Sequence, residues 1–317
     1  MSTIRTYGWK RDTHDPRDHK LKLMGRPIPL PPRVDLREEV TLPEPYDQGS
    51  LGSCTANAIG FAYQYDEIVQ KNNNCFMPSR LFIYYNERVM EGTINEDSGA
   101  ELRNGIKSIN SQGVCEETIW PYEIEKFTVK PADECYTEGE KCKSIAYSRV
   151  SQDLNAFKTV LFHKRPIVFG FMVYESFEAP DVAKTGMMSV PKPKWEKLNG
   201  GHAVACVGYD DNINKGSFIV RNSWGSGWGD KGYFYMPYQV MTNSELSDDF
   251  WVINQVTNPL TLKMCHYVID KGTETGTETG TETGTETGTE TGTETGTETG
   301  TEKVDEALTQ TPLEYTI

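Results

Sequence analysis

The sequence predicts an α+β chain in two lobes, mostly helical in its first half and mostly antiparallel β in its second. Two observations carry this. From Cys54 through Ala58, Ile59, Phe61, Ala62, Tyr65, Ile68 and Val69, apolar residues recur at helical spacing. From Ile145 onward the texture changes to short runs rich in Val, Phe, Tyr and Gly, separated by turn residues. Helices first and strands afterwards is the order of an α+β fold, not the alternation of a parallel α/β sheet.

The elements follow in order. Residues 1–33 read as an extended N-terminal arm, with Tyr7-Gly8-Trp9 and the proline-rich Pro27 to Pro32 disfavouring helix. The bland reading is a strip laid on the domain surface; the sharper one is an arm that covers a cleft. Arg33-Val34-Asp35 opens the domain proper, whose helical lobe spans 34–144. Its first helix starts at Cys54 and stops at Asn72-Asn73-Asn74. A second is expected over 79–91, led by Ser79, and a third over about 99–112, stopped by Gly113. From Trp120-Pro121-Tyr122 to about residue 144 the chain reads as irregular and charged. The β-rich lobe spans 145–270, with a helix over Leu154–Leu161 and strands at Pro166–Val173, His202–Tyr209, Gly216–Asn222 and Gly232–Met236. Residues 271–302 repeat Gly-Thr-Glu-Thr, a period that fits neither a helix face nor a half-buried strand. They predict a solvated, disordered tail. A C-terminal tail, 303–317, follows.

Charge narrows the function classes. The formal net charge is −14, but residues 272–302 of the repeat contribute eight Glu and no Lys or Arg, leaving −6 elsewhere. The first 38 residues lean the other way, with nine Lys or Arg against five Asp or Glu. No basic stripe interleaved with aromatics marks a nucleic-acid partner. No run approaches the length of a membrane span, and the N-terminus has no apolar signal region, so an intracellular, reducing location is expected. Seven cysteines without a C-x-x-C pair give no support to a metal site, and no cofactor is implied.

Three stretches carry the chemistry. Cys54 sits at a predicted helix start, where unpaired backbone N–H groups and the positive dipole end favour a thiolate. His202 follows two glycines, Gly200 and Gly201, that let the backbone and the substrate approach closely. Asn222 ends a β run and can orient an imidazole, and Gln48 has a side-chain NH₂ able to face a developing oxyanion. Each alone is ordinarily structural. Together they supply a nucleophile, a base, an orienting group and an oxyanion donor.

The blocks Gln48-Gly49-Ser50-Leu51-Gly52-Ser53-Cys54, His202 to Tyr209, and Asn222-Ser223-Trp224-Gly225-Ser226-Gly227-Trp228-Gly229 resemble the three signatures of papain-like (C1) cysteine peptidases, in the family's chain order. The resemblance covers roughly residues 34–265 and implies the papain-like two-lobe fold with a cleft between the lobes. It implies Cys54 as nucleophile, His202 as acid and base, Asn222 holding the ring under Trp224, and Gln48 in the oxyanion hole. Gly99, Gly201 and Trp224 would contact substrate, and protein or peptide substrates would be the partners. Two departures stand out: Thr55 where the family has an aromatic, and Leu51 where it has a disulfide cysteine. With the short arm in place of a long pro-region, they suggest a divergent intracellular member of bacterial or large-virus type. The competing readings are a catalytically dead peptide-binding module, which would have lost one of the three residues, and a Cys–His acyl transferase, which usually orients histidine with a carboxylate.

Overall fold

A computed structural model describes residues 6–22, 29–71 and 75–256, with the side chains of residues 145 and 254–256 left aside. The repeat, the C-terminal tail, the Asn72-Asn73-Asn74 stop and Cys265 lie outside the described residues.

The arm contributes the short strand β1 (Trp9–Lys10), and the domain opens with β2 (Arg33–Asp35) and the turn of helix α1 (Leu36–Glu39). Helix α2 (Cys54–Val69) is buried from Cys54 to Glu67, which fits its apolar residues on all sides: it is the wall between two cores. Phe61 and Tyr65 pack into one core with the sheet, while Ala58, Ile59, Ala62 and Tyr63 pack into the other with the helices. Helix α3 (Arg80–Glu91) begins where the Ser79 side chain accepts from Phe82 N and ends at Gly92 in the left-handed conformation, so both ends are capped.

The third helix begins later than the sequence suggested. Residues Ala100–Glu101 are strand β3, and helix α4 runs over Leu102–Ser111. The reason is local: Gly99 has φ +68, outside the helical region, and the Ala100 N–H is taken by the Gly8 carbonyl at 2.7 Å. The stretch read as irregular contains helix α5 (Asp133–Gly139), too short for periodicity to reveal.

In the second half, β4 (Ser144–Arg149), helix α6 (Leu154–Phe162), β5 (Ile167–Tyr174), helix α7 (Pro180–Thr185), β6 (Leu198–Asp210), β7 (Ser217–Arg221), β8 (Tyr233–Pro237), helix α8 (Tyr238–Met241) and β9 (Ser247–Val256) follow in order. The sheet order is β4-β9-β5-β6-β7-β8, with every pairing antiparallel and β2 added to β6. Helices α3, α4 and α5 pack with α2 in one core, and this sheet with α6, α7 and α8 forms the other, the two-lobe α+β arrangement.

Candidate active site

Helix α2 and strand β6 bring the predicted residues together. Cys54 is the first residue of α2 and is fully buried. Burial is the main influence on its thiol and pushes it up to about 11, against the pull of backbone N–H groups of Ala203, Gly8 and Thr55. Ala203 directly follows His202 on β6, and Gly8 belongs to the arm.

His202 Nε2 lies 2.8 Å from Asn222 Oδ1. That same Oδ1 accepts the Ser223 backbone N–H at 2.8 Å, so it must be an acceptor, and the His202 Nε2 is then the protonated ring nitrogen. Trp224 stacks on the imidazole, with centroids 5.1 Å apart and planes inclined by 23°. Trp224 and Trp228 both pack against Phe177, an apolar cover over the His202–Asn222 contact. A hydrogen bond shielded in this way holds its geometry without competition from water.

Gln48 is tied to the third block: its N–H donates to the Ser223 carbonyl at 2.9 Å, and its Oε1 accepts from the Ser223 hydroxyl at 2.6 Å. With Oε1 engaged, Nε2 donates to the Leu51 carbonyl at 2.9 Å and to the Thr6 carbonyl of the arm at 3.3 Å. An arm carbonyl therefore sits in front of the donor predicted for an oxyanion.

Gly99 and Gly201 flank the arm itself. A Cβ on Gly99 would meet the Gly8 carbonyl oxygen at 2.0 Å, and one on Gly201 would meet the Trp9 carbonyl oxygen at 2.4 Å. Tyr7 lies edge-on to His202, with centroids 5.9 Å apart, and its hydroxyl donates to Glu178. Trp9 is buried, and its indole N–H donates to Asp249 Oδ2 at 3.2 Å. The predicted substrate-contacting residues thus come together on one segment, and that segment is the chain's own N-terminus.

Several contacts here carried no sequence signal. Asp97 accepts the Gly52 N–H at 3.0 Å and the Tyr84 hydroxyl at 2.5 Å, fixing the loop before Cys54. Thr55, the departure from the family pattern, donates its hydroxyl to Glu87 Oε2 at 2.8 Å. Glu87 is fully buried, and burial drives its carboxyl well above the ordinary range. Isolated acids spread along a chain have no periodicity to betray them. Among the described residues, no group of three or more His, Cys, Asp or Glu could hold a metal ion, and no helix is long and apolar enough to cross a membrane.

Comparison with known proteins identifies the family. The chain is 47% identical over 283 residues to an uncharacterized peptidase C1-like protein, L477, of Acanthamoeba polyphaga mimivirus, covering 82% of this chain and 90% of that one. It is similar in structure to xylellain, a cysteine protease from Xylella fastidiosa, with TM-score 0.72 and 42% identity over 80% of this chain and 98% of that one. Procathepsin B S9 from Trypanosoma congolense shares the fold, with TM-score 0.60 and 19% identity over 73% of this chain and 80% of that one. The model of the papain family cysteine proteases matches residues 30–252, so the chain belongs to that family and is a cysteine-type peptidase.

Proposed function

We propose that this peptidase cleaves peptide bonds through a thioester at Cys54 and that its own N-terminal arm occupies the cleft at rest. The observation that carries the catalytic assignment is the His202–Asn222 hydrogen bond, held under Trp224 beside a cysteine at a helix start. With Nε2 committed to Asn222, Nδ1 is the nitrogen left to take the Cys54 proton. The thiolate attacks the carbonyl carbon of the substrate and a C–S bond forms. The carbonyl electron pair moves onto oxygen, stabilised by Gln48 Nε2 and the Cys54 backbone N–H. Collapse breaks the C–N bond, and His202 gives its proton to the departing amine. Water then attacks the thioester carbonyl while His202 takes a proton from it, the C–S bond breaks to release the carboxylic acid, and the returning proton restores the thiol.

The arm fits the cleft in the wrong direction for this chemistry. A departing amine must lie toward His202, so the part of a substrate C-terminal to the scissile bond passes over His202 and Trp224. The acyl part, N-terminal to the bond, must then pass Gly99 and Ala100. In the arm the N-terminal residue Tyr7 lies on His202 and the later residue Trp9 pairs with Ala100, in parallel. A productive substrate would pair antiparallel there. The arm therefore blocks the site without presenting its own bonds for cleavage. Protein or peptide substrates are the partners this reading requires. The helical and β-rich lobes, divided at 144/145, are its two walls. Cys54, Cys75, Cys115, Cys135, Cys142 and Cys206 are all free thiols, which supports an intracellular, reducing location.

The test is Cys54→Ala. Loss of peptide hydrolysis and of labelling by a thiol-directed epoxide, with the fold retained by circular dichroism, supports the assignment. Hydrolysis near the wild-type rate overturns it.

A further inference from the structure

Beyond Trp9 the arm enters a site more specialised than a surface contact. Asp12 has its side chain fully covered, and both carboxylate oxygens are met by donors from the body of the protein. Its Oδ1 accepts the Arg103 backbone N–H at 3.0 Å, in the first turn of α4. Its Oδ2 accepts Arg149 Nη2 from β4 at 2.6 Å and the Trp251 indole N–H from β9 at 2.9 Å. Three elements distant in sequence thus converge on one carboxylate. Asp18 follows in the same place, accepting from Arg103 Nη2 at 2.8 Å and Arg149 Nε at 2.8 Å.

The track leading to this site alternates in charge. Lys10 meets Glu91 at 3.3 Å and Arg11 meets Asp248 at 3.0 Å, so the body is acidic opposite those two residues and basic opposite the next. When the arm lifts, Asp12 and Asp18 leave with it. Arg103 loses its carboxylate partner Asp18, and Arg149 keeps only Asp249, at 3.1 Å. The emptied cradle has two guanidinium groups to one carboxylate, plus an indole N–H and a helix-terminal N–H. Such a set is complementary to an incoming carboxylate.

We propose that this cradle is a substrate subsite that takes the side-chain carboxylate of an acidic residue. The proposal rests on the peptidase reading above for the direction of the chain. Gly8 lies against Cys54, and Asp12 comes four residues later. In a substrate running the opposite way, the acidic residue stands four positions before the one that supplies the scissile carbonyl. A matching peptide therefore has the arm's sequence reversed: Asp-Arg-Lys-Trp-Gly-Tyr-Thr, with Gly supplying the carbonyl and Tyr over His202. Preference for an acid over its amide arises because all three donors point inward. An amide would place an N–H₂ against one of them, whereas an ionised carboxylate accepts from all.

The experiment uses the full chain carrying Cys54→Ala, to stop turnover, and Asp12→Asn, to weaken the arm's hold. Binding of the acetylated, fluorescently labelled peptide is compared with that of the same peptide bearing Asn in the first position, by anisotropy at pH 8. That pH lies above the value of about 7 to which burial and the neighbouring Asp249 push Asp12 when it fills the site. The acidic peptide is expected to bind at least fivefold more tightly, and Arg149→Gln is expected to remove the difference. The peptide pair carries the test even if Arg149→Gln does not fold. Equal affinities, or no saturable binding of either peptide, overturn the proposal. Hydrolysis of the same peptides by the chain with Cys54 intact is a separate readout. An acid preference in binding without any hydrolysis would support the subsite and count against the peptidase mechanism.

Discussion

The cleft floor and the arm that crosses it are built from opposite kinds of information. The floor is made of a few residues whose types are dictated by chemistry: a cysteine at a helix start, and a histidine whose Nε2 is fixed by Asn222 at 2.8 Å. The arm holds its place through many unremarkable contacts, among them Asp12 on Arg149, Asp18 on Arg103 and Arg149, and Trp9 on Asp249. Removing one floor residue should stop the reaction. Removing one arm contact should release it.

The floor gives the largest effect. Cys54→Ala should lower kcat/KM by about 10³-fold or more, since the proposed mechanism forms its thioester at Cys54. Gln48→Ala should cost roughly 10²-fold in kcat, the usual loss for one oxyanion donor, with KM nearly unchanged. A large KM effect with kcat intact would show instead that Gln48 serves only to seat the arm carbonyl of Thr6. Steady-state kinetics with a short peptide separates the two outcomes.

The floor was legible and the arm only half so, for a physical reason. Nucleophilic catalysis permits few residue types at few spacings, so Cys54, His202, Asn222 and Gln48 could be proposed from the chain alone, and the structure sets His202 against Asn222. The main helix and strands were legible through periodicity, because their burial is continuous. What was missed depends on contacts between distant positions. The helix expected from residue 99 starts at Leu102 because the arm claims Ala100 first. Helix α5 is too short for a periodic signal. The Asp12 cradle joins residues from positions 12, 103, 149 and 251, and nothing local marks any of them. The arm was expected as an extended strip, with cleft coverage as one of two readings, but its direction was not visible without Ala100 and His202 on either side of it.

The arm gives effects of opposite sign. At pH 8, above the value of about 7 to which burial and Asp249 push it, Asp12 is a carboxylate that accepts charge-assisted hydrogen bonds, each worth about 1.5–3 kcal/mol, and Asp12→Asn removes it. At about 1.4 kcal/mol per factor of ten, the open population should rise by roughly tenfold or more. Hydrolysis of a short peptide should rise correspondingly. A fall in rate would mean that the arm completes the site instead of blocking it.

Thiol reactivity gives a smaller, pH-dependent contrast between the same two regions. With the arm closed, burial holds the Cys54 thiol up at about 11, so the neutral form is the one that closure favours. The sign follows: closure keeps this contribution at low pH and loses it as pH rises toward 11. Alkylation of wild-type Cys54 by iodoacetamide should therefore climb about tenfold per pH unit between roughly pH 7 and 10. In Asp12→Asn the thiol is less buried, and the climb should begin lower and flatten earlier. Superimposable profiles would show that the arm does not control the environment of the thiol.

Thr55 should give the smallest effect on rate, because it adjoins the nucleophile in sequence yet faces the core. Its hydroxyl donates to Glu87 at 2.8 Å, and burial raises the Glu87 carboxyl well above the ordinary range. Thr55→Val leaves a buried acceptor without that donor, at a cost of about 1–3 kcal/mol in stability. Denaturant unfolding should report this loss, while kcat stays within about threefold of wild type because no group that touches substrate has moved. The position where this chain departs from its family's aromatic would then be explained by the acid beneath it. A drop in kcat as large as that of Gln48→Ala would instead place Thr55 among the residues of the floor, and the boundary between floor and core would have to be drawn one residue further along α2.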